Sequence, residues 1–128
     1  MSFIPINREE AISYLRELGN TDIEMNHYIE TEAIMKKLAN YFSEDEDYWG
    51  MLGLLHDIDW VLTKNRIQEH SLIAKDLLSR LGFDNKFISL VQSHVYSNET
   101  IPKFLDKKRT NRIEFCLASS ETITGLIY

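Results

Sequence analysis

A single cysteine, Cys116, is the only thiol in the 128 residues, so no internal disulfide can staple this chain. A reducing, cytoplasmic setting is the corresponding expectation. With two prolines and five glycines, the chain is too poor in these residues to be a linker-rich, collagen-like or low-complexity sequence. No apolar run approaches the roughly 18 residues that suggest a membrane span. Residues 1–10 lack the basic start and long apolar stretch of a signal peptide. Basic charge is short as well. The 14 Lys and Arg against 20 Asp and Glu leave a formal net charge of −6, which speaks against general nucleic-acid binding. A small phosphorylated ligand stays open, because a local cationic pocket can sit on an acidic protein.

Apolar residues make up 44% and charged residues 27% of the chain, as in ordinary globular proteins. The length predicts one domain, residues 1–128, with one hydrophobic core. The apolar spacing is helical throughout, and no stretch alternates like a strand. Asn7 with Glu10 reads as a capping box, and Gly19 as a stop, for a first helix. A second helix is expected from about Asp22 or Glu24 to Phe42. A third, capped by Ser43 and Glu46, should carry Trp49, Leu52 and Leu55 into His56. A fourth is expected from about Gln68 to Leu81 before Gly82, and a fifth from the cap Asp84 to His94 or Val95. Residues 96–106 read as a loop. A last helix should run from Arg109 or Asn111 to Ile123 or beyond. The expected fold class is all-α, a compact bundle of about six helices.

Only four histidines are present, and helical phase turns all of them inward. His27 shares a face with Thr31, Ile34, Met35, Leu38 and Phe42. His56 follows Trp49, Leu52 and Gly53, and His70 precedes Ala74, Leu77, Leu78 and Leu81. His94 is in phase with Phe87, Leu90 and Val91. Glu121 falls in phase with Ile113, Leu117 and Ala118. One histidine on an apolar stripe is commonly a hydrogen-bonded core residue. Four of them and a carboxylate, from different helices, with Asp57 directly after His56, point to a shared metal ion, because a buried carboxylate needs a partner. Imidazole and carboxylate donors suit several divalent metals, so iron, manganese, magnesium, zinc and nickel all stay open. Asp59 is a candidate for orienting a ligand histidine, and equally for a loop or cap carboxylate. Lys64 and Arg66, after the His56-Asp57 pair, are candidates for binding a substrate phosphate, although loop charges are commonly just solvated.

The order of these segments resembles the HD superfamily of metal-dependent phosphohydrolases, its small bacterial single-domain branch in particular. The resemblance runs over about residues 22–128. It is carried by Asn26-His27-Tyr28-Ile29-Glu30, Leu54-Leu55-His56-Asp57-Ile58-Asp59, Glu69-His70-Ser71-Leu72-Ile73-Ala74, Val91-Gln92-Ser93-His94 and the closing Ala118–Ile127 run. It implies an all-helical fold in which His27, His56, Asp57 and a late acidic residue hold one metal. His70 and His94 would then serve a second metal or the substrate phosphate, with Asp57 as bridge and Asp57, His70 and His94 as the catalytic set. One or two divalent ions per site would be the cofactor, a small phosphorylated metabolite or nucleotide the substrate, and no membrane a partner. The family has Asp at the late position, where alignment on Thr124-Gly125-Leu126-Ile127 places Glu121. The longer side chain moves the carboxylate by about an ångström, where a productive site tolerates about 0.5 Å. The branch also continues past that run, so a short last helix and a site open on one side are expected. A catalytically impaired nucleotide- or metal-binding module is therefore the alternative, and iron-dependent oxidation is a third reading of the same ligands.

Overall fold

A computed structural model describes residues 2–127. Among these residues it contains helices and no strand, so the chain is all-α as the apolar spacing predicts. The first helix, α1 (Arg8–Glu17), starts at a reciprocal capping box between Asn7 and Glu10 and ends before Gly19, whose φ of 107° is open to glycine. Next, α2 (Asp22–Tyr41) opens on a second box, Thr21 with Glu24. The N-cap of α3 (Glu46–Leu55) is Asp45, whose carboxylate accepts from Tyr48 N. The expected cap Ser43 instead turns the chain with a φ of 57°. Asp84 caps α6 (Asn85–Gln92) as expected.

Between α3 and α6 the structure differs from the expectation. A one-turn helix, α4 (Trp60–Thr63), and a 3-10 turn at Ile67–Glu69 fill the stretch read as a connection. The helix expected from Gln68 begins only at α5 (Leu72–Leu81), because Ser71 at φ 67° breaks the helical path behind His70. The stretch 96–106 is not a bare loop. It holds a 3-10 turn at Pro102–Phe104 and buries Ile101 and Phe104 with Val95 in a small satellite core. The last helix, α7 (Arg112–Ile127), has 16 residues, so it is not short. Tyr128 lies outside the described residues. No helix among the described residues is long and apolar enough to cross a membrane.

The core is built around α3, which is buried on every side over Tyr48–Leu55, and includes Leu15 of α1, Met25, Tyr28 and Met35 of α2, Leu52 and Leu55 of α3, Leu78 of α5 and Phe87 of α6, all essentially inaccessible to water. Each such side chain contributes about 1.5–3 kcal/mol on burial. The most extensive packing is between α2 and α3, with α7 closing against α2. The α2–α3 crossing is tight at Gly53, where an added Cβ would sit 2.8 Å from Thr31 O and 2.9 Å from Glu32 Cα. Gly53 lies three residues before His56, and Thr31 four residues after His27. The missing side chain thus brings the two imidazoles together, with ring centroids 5.1 Å apart. Across the other side of α2, Arg8 clamps the buried Glu32 through Nε at 2.7 Å and Nη2 at 3.0 Å, fixing α1 to α2.

Candidate metal centre

Asp57 follows the C-cap of α3 and sits at the centre of the four imidazoles. Its two oxygens are divided between two pairs. Oδ2 lies 3.3 Å from His56 Nε2 and 3.6 Å from His27 Nε2. Oδ1 lies 3.0 Å from His70 Nε2 and 3.1 Å from His94 Nε2. His70 and His94 themselves approach to 3.3 Å. Two donor sets result, His27/His56/Asp57 and Asp57/His70/His94, each with its ligand atoms within 4.8 Å of one another. All four rings reach one carboxylate, His27, His56 and His94 on the helical phase expected of them and His70 from the turn ahead of α5.

The far side of each ring explains why every Nε2 faces Asp57. His56 Nδ1 donates to Gly53 O at 2.7 Å, and His94 Nδ1 to Val91 O at 2.7 Å. A carbonyl only accepts, so these rings carry their proton on Nδ1 and present a lone pair at Nε2 when neutral. His70 Nδ1 is in ion-pair contact with Asp59 Oδ1 at 2.8 Å, without the alignment of a good hydrogen bond, and Thr63 Oγ1 is 3.3 Å away. His27 Nδ1 lies 2.9 Å from Thr124 Oγ1, whose own proton has the carbonyls of Ser120 and Glu121 within reach.

A lone pair aimed at a carboxylate oxygen is repulsive unless a cation lies between them. His56 Nε2 is fully buried and has no hydrogen-bond partner, which is the mark of an atom kept for a metal. The donor set, neutral imidazoles around a shared carboxylate with anchored outer nitrogens, fits a divalent metal. Without a metal, protons take its place. Burial works to raise the Asp57 pKa, yet the facing His56, His27 and His70 hold it well below the ordinary carboxylate value. Burial works to lower His70, but Asp57 and Asp59 push it up to about 10. His56 is also shifted upward, Asp57 outweighing burial, with a smaller contribution from the charge of Glu121.

Asp59 serves both of the roles open to it. It is fully buried. Its Oδ1 faces His70 Nδ1 while its Oδ2 accepts from Ala74 N at 2.9 Å, in the first turn of α5. Ser71 makes no side-chain cap there, so Asp59 caps α5 from another segment and fixes His70 in the same act.

The centre opens into a cavity of about 480 Å³, within the range of small-molecule sites. His27, Asp57, His70 and His94 form its floor, with Trp60, Tyr28 and Asn98 among its walls. Glu121 lines this cavity but belongs to neither donor set. Its Oε2 lies 3.3 Å from Thr122 Oγ1. The most buried face of α7 carries Leu117, Ser120 and Thr124, so it is Thr124 that meets His27 and Glu121 stands at the edge. Lys64 and Arg66 are exposed and do not line the cavity. Arg66 pairs instead with Glu69 at 3.1 Å and donates to Leu62 O.

Two supporting residues were not singled out from sequence. Thr124 could have been found as a hydroxyl at helical spacing from Leu117 and Ser120. Arg109, read from sequence only as a possible start of the last helix, donates through Nη2 to His94 O at 2.9 Å and holds the 3-10 turn Ser93–Val95. No local pattern announces that contact.

Neither curated proteins nor solved structures give a significant match to the chain. The family model of the HD domain matches residues 25–117. That span contains His27, the His56-Asp57 pair, His70 and His94, which converge in space as described. By its sequence and its all-helical fold, the chain belongs to the HD-domain family.

Proposed function

We propose that the protein is a metal-dependent phosphohydrolase acting on a small phosphorylated metabolite or nucleotide. The observation that carries the reading is the division of Asp57, with one oxygen facing His27 and His56 and the other facing His70 and His94. In this reading His27, His56 and Asp57 hold one divalent metal, and Asp57, His70 and His94 hold a second or receive the substrate phosphate. A metal bound there supplies positive charge to a phosphoryl oxygen and lowers the pKa of water from 15.7 towards about 7.

The chain's own groups do the rest. The anchored Nδ1 atoms hold each ring in place before substrate arrives, so no reorganisation is needed during reaction. When only one metal is bound, His70 and His94 have Nε2 free to hold a proton at the phosphate end of the cavity. The Asp59 carboxylate stabilises the protonated form of His70. Trp60 packs edge-on against His70, ring centroids 5.3 Å apart, and lines the cavity beside it. Purified protein should carry or take up a divalent metal and cleave a generic phosphate ester. Asp57→Ala should abolish both metal uptake and turnover, and full turnover by that variant would sink the mechanism.

The position of Glu121 outside both donor sets supports a second reading, a binding module with impaired catalysis. Ligand binding without turnover across several metals and a broad substrate panel would decide for it.

A further inference from the structure

The walls of the cavity carry charge of one sign. Beyond the metal-binding floor, Glu24 and Glu121 line it, and no lysine or arginine does among the described residues. Arg109 lines an adjoining groove that shares His94 and Glu121 with this cavity, and gives one guanidinium nitrogen to the His94 carbonyl. Glu24 closes the capping box of α2 through Oε1, accepting from Thr21 N at 2.8 Å. That role needs an acceptor and no charge. The ligand-binding end is marked independently by the unpartnered, buried His56 Nε2 beside Asp57.

Resting on the phosphohydrolase reading, we infer that Glu24 and Glu121 select substrates by charge: the substrate is a phosphate monoester whose remaining part carries no further negative charge. Polyphosphates and phosphorylated carboxylic acids are rejected. The argument is electrostatic. A phosphate on the floor meets imidazoles and metal. Any second anionic group within a cavity of about 480 Å³ is left facing two carboxylates with no cation to receive it. At such range in a partly solvated cavity, each like charge weakens binding about five- to tenfold. Uncharged polar or aromatic groups meet Trp60 and Asn98 instead.

The test uses two non-hydrolysable phosphonates of equal length, propylphosphonate and 3-phosphonopropionate, which differ in a terminal methyl against a carboxylate. Their affinities for the manganese-loaded protein are measured by calorimetry, beside the metal content. Wild type should bind propylphosphonate about 25- to 100-fold more tightly. Glu24→Gln and Glu121→Gln, which keep shape and the Glu24 cap acceptor, should each shrink the gap about five- to tenfold, with propylphosphonate affinity changed less than about twofold. Equal binding of both phosphonates by wild type, or a gap unmoved in the double variant, overturns the inference and leaves the phosphohydrolase reading standing. Failure of both phosphonates to bind metal-loaded protein overturns the two together.

Discussion

Thr124 has no charge and no exposure, yet it decides the direction of His27. Thr124→Val keeps the volume and removes the hydroxyl. Outer partners of ligand histidines are commonly worth 10–100-fold in metal affinity. A metal titration should show a loss of about that size, with about 1 kcal/mol of stability lost in denaturant unfolding. An unchanged titration would remove Thr124 from the account. Asp59 separates its two duties by substitution. Asp59→Asn keeps an acceptor for Ala74 N and loses the charge facing His70, so metal affinity should fall with stability nearly intact. Asp59→Ala also uncaps α5 and should cost about 1–2 kcal/mol more in unfolding experiments. At this scale the donors were legible in the sequence: helical phase places His27, His56 and His94 inward, whereas His70 reaches the site from the turn before α5, outside any helical phase. Arg109 was not, since no local pattern announces its contact, and Thr124 offered only a hydroxyl at helical spacing from Leu117 and Ser120. Glu121 shows the limit of phase: a small rotation of α7 puts Leu117, Ser120 and Thr124 on the most buried face and leaves the carboxylate at its edge.

At the scale of helices, the crossing of α2 and α3 builds the site. Two glycines in helices predict effects of opposite sign. In α7, Gly125 has open space where a Cβ would go, so Gly125→Ala should stabilise by about 0.5–1 kcal/mol through helix propensity alone. Gly53→Ala gains the same propensity, but its Cβ meets backbone atoms of Thr31 and Glu32 at 2.8–2.9 Å. Backbone cannot swing aside as a side chain can. The α2–α3 crossing must open, at about 1–3 kcal/mol, and His27 and His56 move apart with it. Urea unfolding of the two variants should therefore shift in opposite directions, and metal affinity should fall only in Gly53→Ala. A stabilised Gly53→Ala would contradict the geometry. The caps at Asn7 and Asp84 were readable because they are local. The start of α5 was misread, because its cap is Asp59, fifteen residues before Ala74, and a local reading saw only the continuous apolar spacing after Gln68.

For the whole molecule, metal and fold are linked. The donors come from α2, the end of α3, the turn before α5 and the turn after α6, so a metal that binds them ties these segments together and binds the folded chain alone. Free metal at about a thousand times its Kd then adds about 4 kcal/mol to stability. For a domain of this size that is a rise in melting temperature of roughly 10–20 °C. A chelator should reverse it, and Asp57→Ala should show no rise at all. The all-helical class was legible from periodicity and from the absence of strand alternation. Most of the cavity wall was not, because Glu24, Trp60 and Asn98 share no pattern along the chain and meet only in the folded state.

One carboxylate, Asp57, organises the candidate metal centre among four imidazoles. Anomalous diffraction from crystals of metal-loaded protein, with elemental analysis of the same sample, tests whether a metal sits there. An anomalous peak is expected between Asp57 and the His27/His56 or His70/His94 pairs, and none in Asp57→Ala. Metal held at full occupancy in Asp57→Ala, or a wild-type peak away from these residues, would contradict it.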